Sequence, residues 1–155
     1  LNLYINHYKQ LVGQNNKIRK FLIATHGTFS AGVRSSLDLI IGAQQNLFII
    51  QAYIDQNIKI EDEIKQVLEQ ISEHDELIIF SDILGGSVTN QLLQQALKPN
   101  IHIISGFNLP LLIDVMLGDA ETPIEEVIND AIINAKEQMV YVSKRINFEK
   151  QTGIE

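Results

Sequence analysis

Apolar and polar positions alternate between two rhythms along most of this chain. Short unbroken apolar runs, Phe21-Leu-Ile-Ala24, Leu47-Phe-Ile-Ile50, Leu77-Ile-Ile-Phe80 and Ile101 to Ile104, are separated by longer segments in which apolar residues recur every three or four positions. The runs have the length and composition of strands buried on both faces, and the intervening segments have the period of amphipathic helices. The pattern predicts strand 20–25, helix 30–41, strand 47–53, helix 60–71, strand 77–81, helix 87–97, strand 101–105 and helix 109–117. Ser30 is expected as the cap opening the first helix and Gly42 as the residue closing it. Pro123 is expected to open a last acidic helix from Ile124 to about Met139. Val140-Tyr141-Val142 reads either as a short β segment or as the end of that helix.

A βαβαβαβα order implies an α/β fold with an open, mainly parallel sheet and helices on both faces, because each parallel pair needs a crossover connection. For strand order 2-1-3-4 the winding reverses between the first and third strands, and the crevice there is where such sheets bind ligands. The first strand runs into Thr25-His26-Gly27-Thr28 and the third into Asp82. Two titratable side chains far apart in sequence are thus expected at one crevice.

Composition narrows the function. The chain has 155 residues, 45% hydrophobic and 20% charged, which suits one compact domain. A net charge of −7, with 12 basic residues scattered rather than clustered, argues against nucleic-acid binding. Cysteine is absent, which excludes thiolate catalysis and cysteine-ligated metals. No apolar run approaches the ~18 residues of a membrane span, and the N-terminus lacks the layout of a secretory signal, so a cytoplasmic protein is expected. Leu1, Tyr4, Ile5, Tyr8, Leu11 and Val12 recur at helical spacing, marking residues 1–19 as an N-terminal extension. Residues 20–147 are read as the functional domain and 148–155 as a polar tail.

Asp82-Ile-Leu-Gly85-Gly86-Ser87-Val-Thr-Asn90 opens the helix after the third strand. Adjacent glycines let backbone approach a ligand closely, and exposed amides at a helix start suit a phosphate oxygen. A histidine acting as nucleophile needs one unprotonated ring nitrogen, and a carboxylate on the other selects that tautomer and stabilises the cation formed on attack. His26 and Asp82 are the candidate catalytic pair. Thr28, Gly85, Gly86 and Ser87 are the candidate phosphate-binding residues. The chemistry expected is phosphoryl transfer through histidine, in which positioning and charge stabilisation do most of the catalysis. It calls for no metal and no cofactor. A Walker A sequence is lacking, so the phosphate must come from a donor other than a nucleotide bound here.

These residues resemble the mannose-type enzyme IIA (EIIA) components of the bacterial phosphoenolpyruvate-dependent sugar phosphotransferase system (PTS). The resemblance rests on Thr25-His26-Gly27, on Asp82 with Gly85-Gly86-Ser87 and Asn90, and on Gly106-Phe-Asn-Leu-Pro110, spread over residues 20 to about 142. It implies a cytoplasmic phosphocarrier in which His26 accepts phosphate from phosphorylated HPr on Nε2 and passes it to a mannose-type IIB component, with IIC and IID membrane components downstream. It also implies Asp82 on Nδ1 and a homodimer that exchanges an antiparallel C-terminal strand, for which residues 140–147 are the available segment. Many relatives carry an aromatic residue where this chain has Ile83-Leu84, so the partner-facing surface is expected to differ. The transported sugar stays open among mannose, fructose, sorbose, amino sugars and gluconate.

Three other readings remain. The phosphotransfer subunit of dihydroxyacetone kinase shares the fold. A receiver-like module would carry phosphate on Asp82, but needs magnesium-binding acids that Ala24 to Thr28 do not supply. A dimeric binding module would carry no phosphate at all. Arg34 is a candidate phosphate or partner contact, and Asn108 and Pro110 either shape the pocket mouth or start a helix. His7 and His74 are expected on the surface and His102 within a strand in a structural role.

Overall fold

A computed structural model describes residues 17–146; the helix read from Leu1 to Val12, His7 and the tail from 147 onward lie outside the described residues. The strands are β1 (Arg19–His26), β2 (Leu47–Ala52), β3 (Glu76–Ser81) and β4 (Ile101–Ser105). The helices are α1 (Phe29–Ile41), α2 (Ile60–Leu68), α3 (Ser87–Leu92), α4 (Leu109–Met116) and α5 (Ile124–Glu137), with a 3-10 helix over Leu93–Leu97 continuing α3. The four strands are all parallel in the order β2-β1-β3-β4, so the winding reverses between β1 and β3. Ala24 stands opposite Ile50 on one side and Ser81 on the other, which brings the ends of β1 and β3 level.

The contacts divide the chain at Phe107 and Asn108 into two compact units. In the first, every residue of β3 is buried, as expected of a central strand covered on both faces. Leu22, Ala24, Ile50, Ala52, Leu77 and Ile79 form one apolar cluster with Ile60, Ile64 and Val67 of α2 and with Val88 and Leu92 of α3. The alternate positions Phe21, Ile23, Ile78 and Phe80 point to the opposite face. The buried stripe of α1, Val33 and Leu37, belongs to no part of that first cluster, which accords with a crossover in the opposite direction. At the other end of the sheet two buried carboxylates are paired, Asp75 with Lys20 at 2.9 Å and Glu76 with Arg19 and Lys17. The acidic starts of α2, Glu61 to Glu63, and of α5, Glu125 and Glu126, complement the helix dipole.

Two local expectations are corrected. Helix α1 opens at Phe29 with Thr28 in the capping position, and Ser30 lies buried in the first turn. The hydroxyl of Ser30 donates to the Ile50 carbonyl at 2.9 Å, while the Thr25 hydroxyl accepts from the Ser30 amide at 2.8 Å. The strand end thus does the work assigned to the cap. The helix read over 87–97 tightens to 3-10 geometry after Leu92 and stops at Lys98, which the following Pro99 forces into an extended conformation. Val140 to Val142 form no strand among the described residues. The chain turns helical over 142–146, where the amides of Lys144 and Arg145 bond to the Tyr141 carbonyl, since a strand in a single chain needs a neighbour to satisfy its backbone.

In the second unit α4 and α5 pack on one another. Asn108 caps α4, its side-chain oxygen accepting from the Leu111 amide at 3.0 Å and its nitrogen donating to the Ala135 carbonyl at 3.0 Å. Pro110 lies in the first turn, so both residues serve the helix start.

Candidate functional site

The end of β1 and the residue after β3 meet at His26 and Asp82. The His26 amide donates to Asp82 Oδ2 at 2.8 Å, and ring Nδ1 lies 2.8 Å from the same oxygen. Burial pushes the Asp82 carboxyl up, but the hydrogen bonds from the His26 amide and ring and the charge of that ring outweigh it, leaving it below the usual carboxylate range. An ionised carboxylate only accepts, so Nδ1 carries the proton. Nε2 then presents its lone pair, 3.1 Å from Ser87 Oγ, whose hydroxyl donates to it. The side chain of His26 is 39% exposed and that of Asp82 only 10%. The imidazole is therefore partly open to solvent while the carboxylate that holds it is buried. Asp82 Oδ1 is buried with no protein partner among the described residues.

The loop between β3 and α3 is pinned against the imidazole. A Cβ on Gly86 would stand 3.1 Å from the Ile83 carbonyl oxygen and 3.5 Å from His26 Cε1, so glycine lets the loop close on the ring. Gly85 has φ +75°, the left-handed conformation glycine adopts without strain. The Gly86 amide donates back to the Ile83 carbonyl at 3.0 Å. Its contribution to the site is therefore space rather than a free N–H. The amides of Ser87 and Val88, in the first turn of α3, have no carbonyl within the helix to meet. Thr89, unread in the sequence, donates its hydroxyl to the Ile83 carbonyl at 2.7 Å and lies 2.8 Å from the Ser81 hydroxyl. Asn90 Nδ2 donates to the Gly85 carbonyl at 3.2 Å.

Thr28 is exposed on the turn after His26. Arg34 lies 4.0 Å from Asp38 one helical turn along α1. His74 is exposed, and His102 lies within β4 with Nε2 buried and without a partner among the described residues. Ile83 and Leu84 on the loop following β3, and Phe29 at the start of α1, expose apolar side chains, with Leu84 at 83%. The Tyr53 ring centroid is 5.7 Å from that of His26, a neighbour no sequence pattern announced. Among the described residues no helix is long and apolar enough to cross a membrane.

Residues 20–132 match the family model EIIA-man, described as PTS system fructose IIA component. The PTS system fructose-specific EIIA component of Bacillus subtilis is 25% identical over 111 residues, 70% of this chain and 76% of that protein. A Klebsiella pneumoniae structure described as a candidate phosphoenolpyruvate-dependent sugar PTS permease is 33% identical, with TM-score 0.80 over 85% of this chain and 96% of that one. The phosphotransferase system component EIIA of Streptococcus agalactiae is 25% identical, with TM-score 0.70 over 82% and 99% of the two chains. A parallel 2-1-3-4 sheet and a family match across the segment holding His26, Asp82 and the glycine pair agree, and the chain belongs to the mannose-type EIIA family of the phosphotransferase system.

Proposed function

We propose that this chain is a histidine phosphocarrier of sugar uptake, with residues 20–147 as its working domain. Nε2 of His26 attacks the phosphorus of phosphorylated HPr, the bond from phosphorus to the donor breaks, and the donor keeps that electron pair. The imidazole, now bonded to phosphorus at Nε2 and to a proton at Nδ1, carries a positive charge that Asp82 offsets. The reverse sequence delivers the phosphoryl group to a mannose-type IIB component. Ser87, freed from Nε2, turns its hydroxyl to the phosphoryl oxygens together with Thr28 and the amides at the start of α3. Gly85 and Gly86 shape that approach.

The observation that carries this reading is the single Asp82 oxygen 2.8 Å from Nδ1, with Nε2 left to the Ser87 hydroxyl at 3.1 Å. It supports a nucleophile of fixed tautomer. Incubation with phosphoenolpyruvate, enzyme I and HPr is expected to place an acid-labile, base-stable phosphate on His26. Unchanged labelling of His26→Ala would sink the proposal. The family's strand exchange is proposed for residues 140–147: the helical turn over 142–146 in the single chain would give way to a strand in a cytoplasmic homodimer. Sedimentation before and after removal of residues 139–155 tests this, and an unchanged dimer would overturn it.

A further inference from the structure

Among the described residues one non-glycine has a positive φ, and it is the residue whose ring lies beside His26. Tyr53 follows β2 with φ 67°, a conformation that costs an ordinary side chain of this bulk and that glycine or asparagine would adopt more readily. Its backbone is tied to the histidine turn. Ala52 is the register partner of His26, and the Gly27 amide donates to the Ala52 carbonyl at 2.9 Å. The left-handed turn at position 53 then sends the tyrosine ring toward the imidazole, with centroids 5.7 Å apart and planes inclined by 44°. Half of the residue, 52%, stays exposed. Core packing alone does not account for an aromatic residue in a strained conformation with half its surface in water.

We infer that Tyr53 is a positioning residue for His26: its ring walls one side of the imidazole, holding Nε2 outward, and its π system favours the cationic ring formed when Nε2 takes the phosphoryl group. The inference rests on His26 being the phosphoryl acceptor. The separation lies within the ~6 Å at which an aromatic ring attracts a cation. Two fixed partners then act on one charge. Asp82 holds the ring from the Nδ1 edge and Tyr53 borders it from β2.

The test is single-turnover phosphorylation by phospho-HPr of the full chain and of Tyr53→Gly, Tyr53→Asn and Tyr53→Phe, with a thermal melt of each. Glycine and asparagine accept the left-handed backbone, so both variants are expected to melt no lower than the parent. Their saturating rate is expected to fall roughly three- to tenfold, the scale of a partly exposed cation–π contact with lost ring restraint. The half-saturating donor concentration is expected to change less than twofold, and the phosphorylated fraction at equilibrium to fall with the rate. Tyr53→Phe, which keeps the ring, should restore both within twofold. A saturating rate unchanged in both Tyr53→Gly and Tyr53→Asn overturns the inference. So does a loss confined to the half-saturating concentration, which would make Tyr53 a docking contact, or a Tyr53→Phe variant as slow as Tyr53→Gly. Failure of the parent chain to become phosphorylated would instead strike the acceptor role of His26.

Discussion

Asparagine at position 82 would keep the shape of the aspartate and remove its charge, and the geometry sizes the consequence. Both His26 contacts fall on Oδ2, at 2.8 Å each, so an asparagine with its carbonyl at that place retains both bonds and the Nδ1–H tautomer. What disappears is the attraction between the carboxylate and the imidazolium formed as Nε2 bonds to phosphorus. Two unit charges about 4 Å apart attract by about 4 kcal/mol at an effective dielectric constant of ~20. The His26 side chain is 39% exposed, and solvent screening reduces the effect to about 2 kcal/mol, or roughly 30-fold in rate. The fold also weakens. Two charge-assisted hydrogen bonds become neutral ones, a loss of about 1 kcal/mol each. Rapid-quench transfer from radiolabelled phospho-HPr to Asp82→Asn, beside a urea titration of the same protein, measures both. A folded Asp82→Asn variant less than threefold slower than the parent would refute the assignment of charge stabilisation to Asp82.

Gly86→Ala places a methyl 3.1 Å from the Ile83 carbonyl oxygen and 3.5 Å from His26 Cε1, so it should cost about 1 kcal/mol in urea stability and slow transfer severalfold; a variant equal to the parent in both would show that the loop yields freely. Thr89→Val removes the hydroxyl that meets the Ile83 carbonyl at 2.7 Å and the Ser81 hydroxyl at 2.8 Å, and should lower stability by about 1–3 kcal/mol, read from the denaturation midpoint. Acid should destabilise the protein. Burial raises the carboxyls of Asp75 and Asp82, but Lys20 and the Ser72 amide in one case and His26 in the other outweigh it, so both stand below their ordinary values. Their stabilising contribution is complete above the unfolded-chain value of about 3.9 and drains as pH falls through the folded values. Urea midpoints are therefore expected to hold between pH 7 and 5 and to drop below about pH 4, less steeply in Asp75→Asn; a midpoint that rises on acidification contradicts the sign.

The sheet was legible because the middles of β1 and β3 are unbroken apolar runs, as the centres of strands covered on both faces must be. Phe21 to Ala24 and Leu77 to Phe80 leave no polar position to confuse strand with helix. The crevice followed from connection order, and His26, Asp82 and Ser87 do meet there. Features decided by a distant partner were not legible. Ser30 has the composition of a cap, yet a carbonyl of β2 claims its hydroxyl and a threonine of β1 takes over its amide. Val140-Tyr141-Val142 has strand composition, yet a strand exists only where another lies beside it. Tyr53 carries no periodic signal, because its place beside His26 depends on a left-handed φ that its residue type does not advertise.

The shared oxygen of Asp82 ties these observations into one account of why the site is built on strand ends. Oδ2 takes a backbone amide from β1 and a ring N–H from the same residue, so the carboxylate that sets the histidine's tautomer also holds the loop after β3 to the end of β1. Ring orientation then depends on the register of two central, fully bonded strands rather than on the conformation of a free loop. The loop that does reach the imidazole, Ile83 to Gly86, is held at one carbonyl by both the Gly86 amide and the Thr89 hydroxyl. A phosphocarrier of the kind proposed would meet a donor and an acceptor in turn with the same nitrogen. On the proposed function, rigidity behind the imidazole and the exposed apolar side chains of Leu84, Ile83 and Phe29 would divide that task between a fixed reacting atom and a surface open to either partner.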